Sequence, residues 1–338
     1  MAIAELARRV EGYVGINGVN VWGDIKKYVT DIEFVEVRDG ETDSFDITLA
    51  DPDKHFITDW IIDKGTILDA KFKLADWQSP GVEQWIDCGT FLCDALKVRG
   101  FPQEVTIKSL ALPLNGTKNT RKWEKISISA IAKDICWRNK CELKYYASDI
   151  TLKSRQQTQQ TDIEFLYRLC SEYGFGMKAY RNAIVIFDRE KQDAGAAIGE
   201  IDINKLCASS GDTYTLDDNE EGTYTGAKCT YKPEKSDKEL TCTIGTAERL
   251  LVLDVSATSA AEAQLKAKAA LYNANKERVK LKLVSMGGML PVYPGSNYTI
   301  NGLGKYSGKY AADRAAHKLT GRNGYSVTYE FHAVDIGV

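Results

Sequence analysis

The stretch Phe45-Asp-Ile-Thr-Leu49 alternates apolar and polar side chains without a break. Because successive side chains of a β-strand point to opposite faces of its sheet, this pattern predicts a strand with one buried face. The same alternation recurs nearby, at residues 68–74 and 105–107. Turn-forming pairs such as Asp39-Gly40 separate these runs. The first third of the chain is therefore predicted to form several short strands of a small barrel or sandwich.

The middle of the chain changes from strand patterns to helix patterns. Ser127 can cap a helix with an apolar stripe, and Thr161 with Glu164 forms the T-x-x-E pattern of a capping box. Gly174 follows the last apolar position of that second helix, where a glycine commonly ends a helix. A short apolar run at residues 183–187 predicts a buried strand, so this region is predicted to be α/β.

The last third returns to strands, with alternation at residues 227–231, 240–244 and 327–333. In the last of these runs His332 occupies a polar position, on the face that is expected to lie in solvent or against a partner. A helix interrupts the strands over about residues 259–275, where Ser259 starts another capping-box pattern before an alanine-rich stripe. Small side chains allow close packing, so this helix is predicted to pack on the second β unit.

Composition and charge exclude several classes of protein. The chain has 338 residues, with 44 Lys and Arg against 47 Asp and Glu, which gives a formal net charge of -3. A protein that grips nucleic acid through a basic face carries surplus positive charge, so no specific nucleic-acid binding is predicted. No apolar run approaches the roughly 20 residues of a membrane span. Residues 1–10 carry charges where a signal peptide would be apolar, so synthesis and folding in the cytosol are expected.

The eight cysteines are expected to be free buried thiols, as is usual in a reducing compartment. Cys88 with Cys93 and Cys136 with Cys141 share a C-x4-C spacing, but zinc sites prefer shorter spacings and further ligands. The chain has three histidines, none close in sequence to such a pair. No metal site is therefore predicted.

The sequence contains no complete motif of catalysis or cofactor binding. The glycine-rich segment at residues 302–310 misses two required positions of a phosphate-binding loop, which favours a turn-rich link between strands. No G-x-S-x-G nucleophile motif is present. The chain is therefore predicted not to be an enzyme, with no catalytic residue, no cofactor-binding residue and no cofactor. The sequence does not identify the residues that would contact partner proteins.

Two charged segments have open interpretations. The basic stretch of Lys118, Arg121, Lys122 and Lys125 surrounds Trp123 and could contact phosphate or an acidic protein, but a solvated loop before a helix is favoured. The acidic run over residues 33–53 is expected to point outward from its strands. It would then either aid solubility or line a channel through which nucleic acid passes without sticking.

Four stretches, taken in order, resemble a known family. They are a strand–loop–strand unit at residues 31–53, the segments Gly89-Thr-Phe91 and Phe101-Pro102 before a strand, Trp123-Glu124 followed by the helix of residues 162–175, and Tyr293-Pro-Gly295 with Gly324-Tyr325 before the last strand. This order resembles the baseplate hub proteins of contractile phage tails and phage-tail-like particles, the late control protein D group. Residues 310–317 are poorer in branched apolar side chains than the family's usual strand, which leaves the register of residues 306–320 open.

The resemblance implies an α+β, mainly β fold in which two tube-like β-barrel domains, residues 1–115 and 201–338, flank an α/β insertion at residues 116–200. It also implies a homotrimer in which three subunits supply six similar barrels. Such a trimer would adapt the hexameric tail tube to the trimeric spike, and its partners would be the tail tube protein, the spike protein and other baseplate proteins. The assembled location would be the baseplate of a virion tail or tail-like particle.

Two alternatives from other functional classes remain open at this stage. Abundant carboxylates permit a hub-associated cell-wall hydrolase. The 17 tyrosines permit a module that binds a host surface, because exposed Tyr suits recognition. The host target, and the choice between a DNA-carrying phage and a DNA-free bacteriocin, are not decided by the sequence.

Overall fold

The structure of the chain is a computed structural model, and it describes residues 8–77, 79–111, 116–180, 182–207, 211–232, 238–255, 257–286, 292–321 and 324–336. Strands predominate over helices in this part of the chain. The fold is therefore α+β and mainly β, as the sequence predicts. The sequence also predicts a loop at residues 233–238, of which only Lys238 lies within the described residues.

The first third forms one β unit around an apolar core. Its elements are β1 (Arg9–Ile16), β2 (Val19–Asn20), α1 (Trp22–Ile25), β3 (Val29–Val37), β4 (Ser44–Ala50), α2 (His55–Thr58), β5 (Ile67–Ala75), β6 (Glu83–Arg99) and β7 (Glu104–Leu110). Phe45, Ile47 and Leu49 are all buried in this core, while Asp46 and Thr48 between them are partly exposed. The predicted alternation is thus confirmed, and it places one face of β4 against the core.

The α/β insertion has a core of its own. Its elements are β8 (Asn119–Ser127), α3 (Ile128–Arg138), β9 (Glu142–Tyr146), β10 (Thr151–Gln160), α4 (Asp162–Glu172), β11 (Phe175–Tyr180), β12 (Ala183–Asp188) and α5 (Arg189–Ala194). The Ser127 side chain accepts a hydrogen bond from the Ala130 backbone, which confirms the predicted cap of α3. Both bonds of the capping box of Thr161 and Glu164 are present at α4.

The last third contains most of the remaining strands and one long helix. Its elements are β13 (Ala197–Asp202), α6 (Ile203–Cys207), β14 (Thr213–Asp218), β15 (Gly226–Tyr231), β16 (Leu240–Gly245), β17 (Leu250–Asp254), α7 (Ala260–Asn275), β18 (Val279–Ser285), β19 (Asn297–Asn301), β20 (Gly308–Thr320) and β21 (Gly324–Ile336). A short 3-10 turn, Gly304–Tyr306, links β19 to β20. The glycine-rich segment is therefore a link between strands, as predicted.

One large sheet joins the first and last thirds of the chain. β20 pairs with β19 along its first residues and with β3 from Arg314 to Thr320, so its register is defined over nearly its whole length. The strand order runs from β14 through β21, β20 and β3 to β2, and is open at both ends among the described residues. This pairing does not confirm two closed barrels. It does show that the two β units share hydrogen bonds as well as side-chain contacts.

A smaller sheet of β15, β16 and β17 is covered by α7. The alanine-rich stripe of the helix is buried there through Ala263 and Ala267. Ser259 accepts from the Glu262 backbone as predicted, but the Glu262 carboxylate accepts from the Thr258 backbone and hydroxyl instead of closing the box on Ser259. The packed helix over about residues 259–275 is confirmed to within one residue.

The prediction of free thiols is wrong for two cysteines. Cys229 and Cys242 form a disulfide between β15 and β16. They are direct partners in that antiparallel pair, with Cα atoms 5.4 Å apart, which is within the range that a disulfide requires. Cys88, Cys93, Cys136, Cys141, Cys170 and Cys207 are free.

Candidate functional site

Arg38 lies at the centre of a buried charged junction between the large sheet, the insertion and α7. It follows the end of β3 and is only 4% exposed. Its Nη2 atom donates to Asp193 Oδ1 at 2.6 Å and to the Arg189 carbonyl oxygen at 3.2 Å, both in α5. Tyr272 of α7 donates its hydroxyl to the other Asp193 oxygen at 2.5 Å. One carboxylate therefore connects three separate parts of the fold.

His332 of β21 adds a fourth part to this junction. Its ring nitrogens lie 2.7 Å from Asp313 Oδ2 and 3.3 Å from Asp193 Oδ2. Burial alone would lower the pKa of His332, but the hydrogen bonds with Asp193 and Asp313 raise that pKa above its ordinary value. Burial alone would raise the pKa of Asp193, yet His332 and Arg38 hold it below its ordinary value. The junction therefore favours a protonated imidazole between two carboxylates.

A second ion pair of the junction requires a close approach of the backbone. Arg189 Nε donates to Asp39 Oδ2 at 2.7 Å, and both side chains are buried. Gly176 of β11 lies directly beside this pair. A Cβ atom at Gly176 would lie 2.7 Å from the Asp39 carboxylate and 2.3 Å from the Phe187 ring. The absence of a side chain at Gly176 is thus what allows the insertion to lie so close to the β3–β4 loop.

Lys178 of β11 makes a third contact between the insertion and the β3–β4 hairpin. Its Nζ atom lies 3.0 Å from Glu36 Oε1 and 3.3 Å from Asp43 Oδ2. Burial raises the pKa of Asp43 to about 6, against the opposing effects of Lys178 and of the Val37 N–H, which donates to its other oxygen.

The insertion also contacts α7 through buried charges. Lys266 Nζ of α7 lies 2.7 Å from Glu172 Oε1 at the end of α4, and Tyr173 donates to Glu262 Oε1 at 2.7 Å. Burial would raise the pKa of Glu262, but the Thr258 N–H, the Tyr173 hydroxyl and Lys266 together lower it to about 2. Because buried charges need partners in defined positions, these contacts fix how the insertion sits on the rest of the chain.

The junction corrects one sequence prediction. The acidic run of residues 33–53 does not point outward as a whole, because Asp39, Asp43 and Asp51 are buried or nearly so and each has partners. The sequence left open whether the polar face at His332 meets solvent or a partner, and the insertion and α7 cover that position of β21. Sequence reasoning missed Arg38, Asp193 and Tyr272 as members of a buried junction, since no local pattern marks partners so far apart in the chain.

The basic stretch is exposed but is not a loop. Its residues lie on β8, which pairs with β10, apart from Lys118 just before the strand. Trp123 within it stacks on Phe165 at 5.1 Å between ring centroids and donates its indole N–H to Asp134. Trp123 is therefore part of the packing of the insertion, while the lysines and Arg121 face solvent.

An exposed hairpin extends from the first β unit. It consists of the end of β6, a turn at Gly100-Phe101-Pro102, and the start of β7. The Phe101 side chain is 93% exposed, and Leu96 and Val98 of β6 are also largely exposed. Large apolar side chains grouped on a surface commonly mark an interaction site.

Two cavities accompany these features. The larger, about 940 Å³, lies over the junction between α5, α7 and β21, and is lined by Leu265, Leu271, Tyr272, His332 and Ala333 among others. The smaller, about 480 Å³, opens from the core of the first β unit beside α2 and is lined by Phe56, Trp60 and Ile61.

The described residues contain no group of three or more His, Cys, Asp or Glu side chains arranged to hold a metal ion. No helix in the described ranges has the length and apolar character needed to cross a membrane.

Comparison with known proteins places these features in context. No family model matches the chain. The probable baseplate hub protein of Escherichia phage P2 is 26% identical over 224 residues, which is 65% of this chain and 55% of that protein. The probable baseplate hub protein of Escherichia phage 186 is 23% identical over 230 residues, which is 66% of this chain and 56% of that protein. The chain thus spans about half the length of the curated relatives that it matches.

The fold is also found in a solved structure. The 43 kDa tail protein of prophage MuSo2 from Shewanella oneidensis superposes with a TM-score of 0.70, covering 96% of this chain and 98% of that one, at 10% sequence identity. In sequence, therefore, the chain resembles phage baseplate hub proteins, as predicted from its four ordered stretches, and in fold it resembles a phage tail protein.

Proposed function

We propose that this chain is a structural subunit of a phage baseplate hub, which assembles as a homotrimer and joins the hexameric tail tube to the trimeric spike. It would be made in the bacterial cytoplasm and built into the baseplate of a tail or tail-like particle. The observation that carries this proposal is the match to hub proteins of phages P2 and 186, combined with a phage tail fold along nearly the whole chain.

The arrangement of strands supports an adaptor role. One β unit lies in the first third of the chain and another in the last third, and β3 and β20 join them in one sheet. If each unit forms a tube-like barrel, three subunits present six of them. A ring of six similar units can contact a hexameric tube, while the trimer keeps a threefold face for a spike.

The charged junction supports a mechanical role. An adaptor that transmits force must hold its parts at fixed angles. The ion pairs of Arg38, Arg189 and Lys178 connect the insertion to the β3–β4 hairpin at separate points. Since each of these contacts is directional, the insertion cannot slide on the sheet without leaving buried charges unpaired.

The test is assembly. The purified chain, mixed with the tube and spike proteins of its own particle, is expected to form a complex containing three copies, as measured by mass photometry. In an image of the particle, a label on this chain should lie where tube meets spike. A chain that stays monomeric at high concentration and joins neither protein would contradict the proposal, whereas weak trimerisation of the chain alone would not.

A zymogram on purified cell wall tests the hydrolase alternative. We expect no clearing, because the proposed role is structural. Binding of the purified chain to intact host cells would instead favour the host-surface module.

A further inference from the structure

The exposed hairpin and the smaller cavity of the first β unit border one another on the surface. Leu96 of β6 lies directly opposite Ile107 of β7, and Ile107 lines the cavity. The arm, defined here as Leu96 to Phe101, protrudes beside this opening without filling it, because Phe101 is 93% exposed. Within the described part of the chain, this protrusion and this cavity thus lie side by side with neither filled nor covered by the other.

The two features match in size and in apolar character. The cavity holds about 480 Å³, which is enough for an aromatic side chain, and its rim exposes Trp60 (41%) and Ile61 (58%). A buried Phe removes roughly 150–250 Å² of surface from water, which makes it a strong anchor. Phe101 is the most exposed of the large apolar side chains in the described residues.

Their charges also match. Lys97 and Arg99 of the arm are exposed on either side of Val98. The charged side chains that line the cavity are the carboxylates of Asp24 and Asp63. Opposite charges on two surfaces favour their encounter and disfavour the reversed arrangement.

We propose that the arm of one copy docks in this cavity of a second copy, with Phe101 inserted against Phe56, Trp60 and Ile61. Because arm and cavity are different surfaces, the contact is head-to-tail, and a head-to-tail contact that closes forms a ring. The inference rests on the proposed hub function, since it names the partner as another copy of this chain within the hub.

The test uses two variants at exposed positions, Phe101→Glu on the arm and Ile61→Arg on the cavity. Each is expected to weaken self-association on the order of 30-fold or more, the loss typical of an aromatic anchor at an interface. Val252→Glu, which changes an apolar side chain on β17 that is 71% exposed, is the matched control and should leave self-association unchanged. Thermal unfolding of all three should match the wild type, because none of these side chains is buried.

Mixing supplies the decisive measurement, made by sedimentation velocity. A mixture of Phe101→Glu and Ile61→Arg chains retains one intact arm and one intact cavity per pair, so it should form a 1:1 complex although neither variant associates alone. Self-association of Phe101→Glu equal to that of the wild type, or failure of the mixture to pair, would overturn the docking.

If Phe101→Glu trimerises normally but no longer binds the tube protein, the occupant is not a second copy, while the hub function stands. A wild-type chain that never joins tube or spike overturns the hub function itself.

Discussion

The β3–β4 hairpin contributes to two buried regions that are held together differently. Its strands supply Phe45, Ile47 and Leu49 to an apolar core, whereas its loop supplies Arg38, Asp39 and Asp43 to the charged junction. Apolar burial depends on area and shape and has no required direction. Buried charges stabilise a fold only while each has its partner in place. Truncating a core side chain should therefore lower the free energy of unfolding in proportion to the apolar volume removed. Removing one charged side chain at the centre of the junction should cost a large amount at once, because its partner is left buried and unpaired.

The largest effect is expected at the centre of the junction. Arg38→Ala leaves Asp193 buried without its main cation and should reduce the free energy of unfolding by about 3–5 kcal/mol. Arg314→Ala is the matched control, because Arg314 pairs with Glu41 at the surface and should cost at most about 1 kcal/mol. Chemical denaturation followed by tryptophan fluorescence measures both. Equal losses of unfolding free energy for the two variants would show that removing an arginine from the junction costs no more than removing one from the surface.

The core should respond in a graded way. Ile47 is fully buried, so Ile47→Ala is expected to cost about 2–5 kcal/mol and Ile47→Val about 0.5–1.5 kcal/mol. The same denaturation experiment measures this series. If Ile47→Val destabilises as much as Ile47→Ala, the core shares the all-or-none behaviour expected of the junction, and the contrast between the two regions fails.

A smaller effect is expected at α4, a helix of the insertion that also contacts α7. Thr161 caps α4, whose last residue, Glu172, pairs with Lys266 of α7. Thr161→Ala should cost about 1 kcal/mol, and Thr161→Ser should restore most of it, because serine can also accept the cap hydrogen bond. Hydrogen exchange of the backbone amides in the first turn of α4 should become faster when this cap is lost. Exchange that accelerates instead throughout the junction would mean that the cap also supports the ion pairs.

The junction should also respond to pH, with the smallest effect. Because the pKa of folded His332 lies above its ordinary value, its contribution to stability is complete below about pH 6.5 and is lost as the pH rises through the folded pKa. His317 acts in the opposite sense near pH 6.5, because burial lowers its folded pKa to about 4 while the unfolded chain still binds a proton there. Asp43, with a pKa of about 6, is mostly ionised there.

The measurement is the free energy of unfolding between about pH 6.5 and 9, for the wild type and for His332→Asn. Relative to the variant, the wild type should lose stability across this range, because only the wild type carries the contribution of His332 while both carry that of His317. Identical slopes for the two proteins would show that His332 does not carry the pH dependence.

Local signals predicted much of the fold, and non-local partners account for what they missed. The caps at Ser127 and Thr161 and the alternation around Ile47 each depend on neighbours within a few residues, so the sequence displays them. The pair of Arg38 and Asp193 is separated by 155 positions. The same reason explains why the alternation around His332 could not decide between solvent and a partner, because the covering insertion comes from another part of the chain.

The disulfide shows the same limit on a smaller scale. Cys229 and Cys242 each fit an alternating strand, but only the register of β15 against β16 places them opposite each other. Gly100 and Pro102 mark the hairpin turn at Phe101 in the sequence. The smaller cavity beside it depends on how α2 packs, and no local sequence pattern reveals that packing.

The pairing of β3 with β20 has a consequence for biosynthesis. β3 is among the first strands to leave the ribosome, and its partner along one edge is among the last. Until the final segments are translated, that edge of β3 offers unpaired backbone groups to any other extended chain. The nascent protein therefore completes its large sheet only near the end of translation, and a chaperone that shields the early hairpin would protect that edge until then.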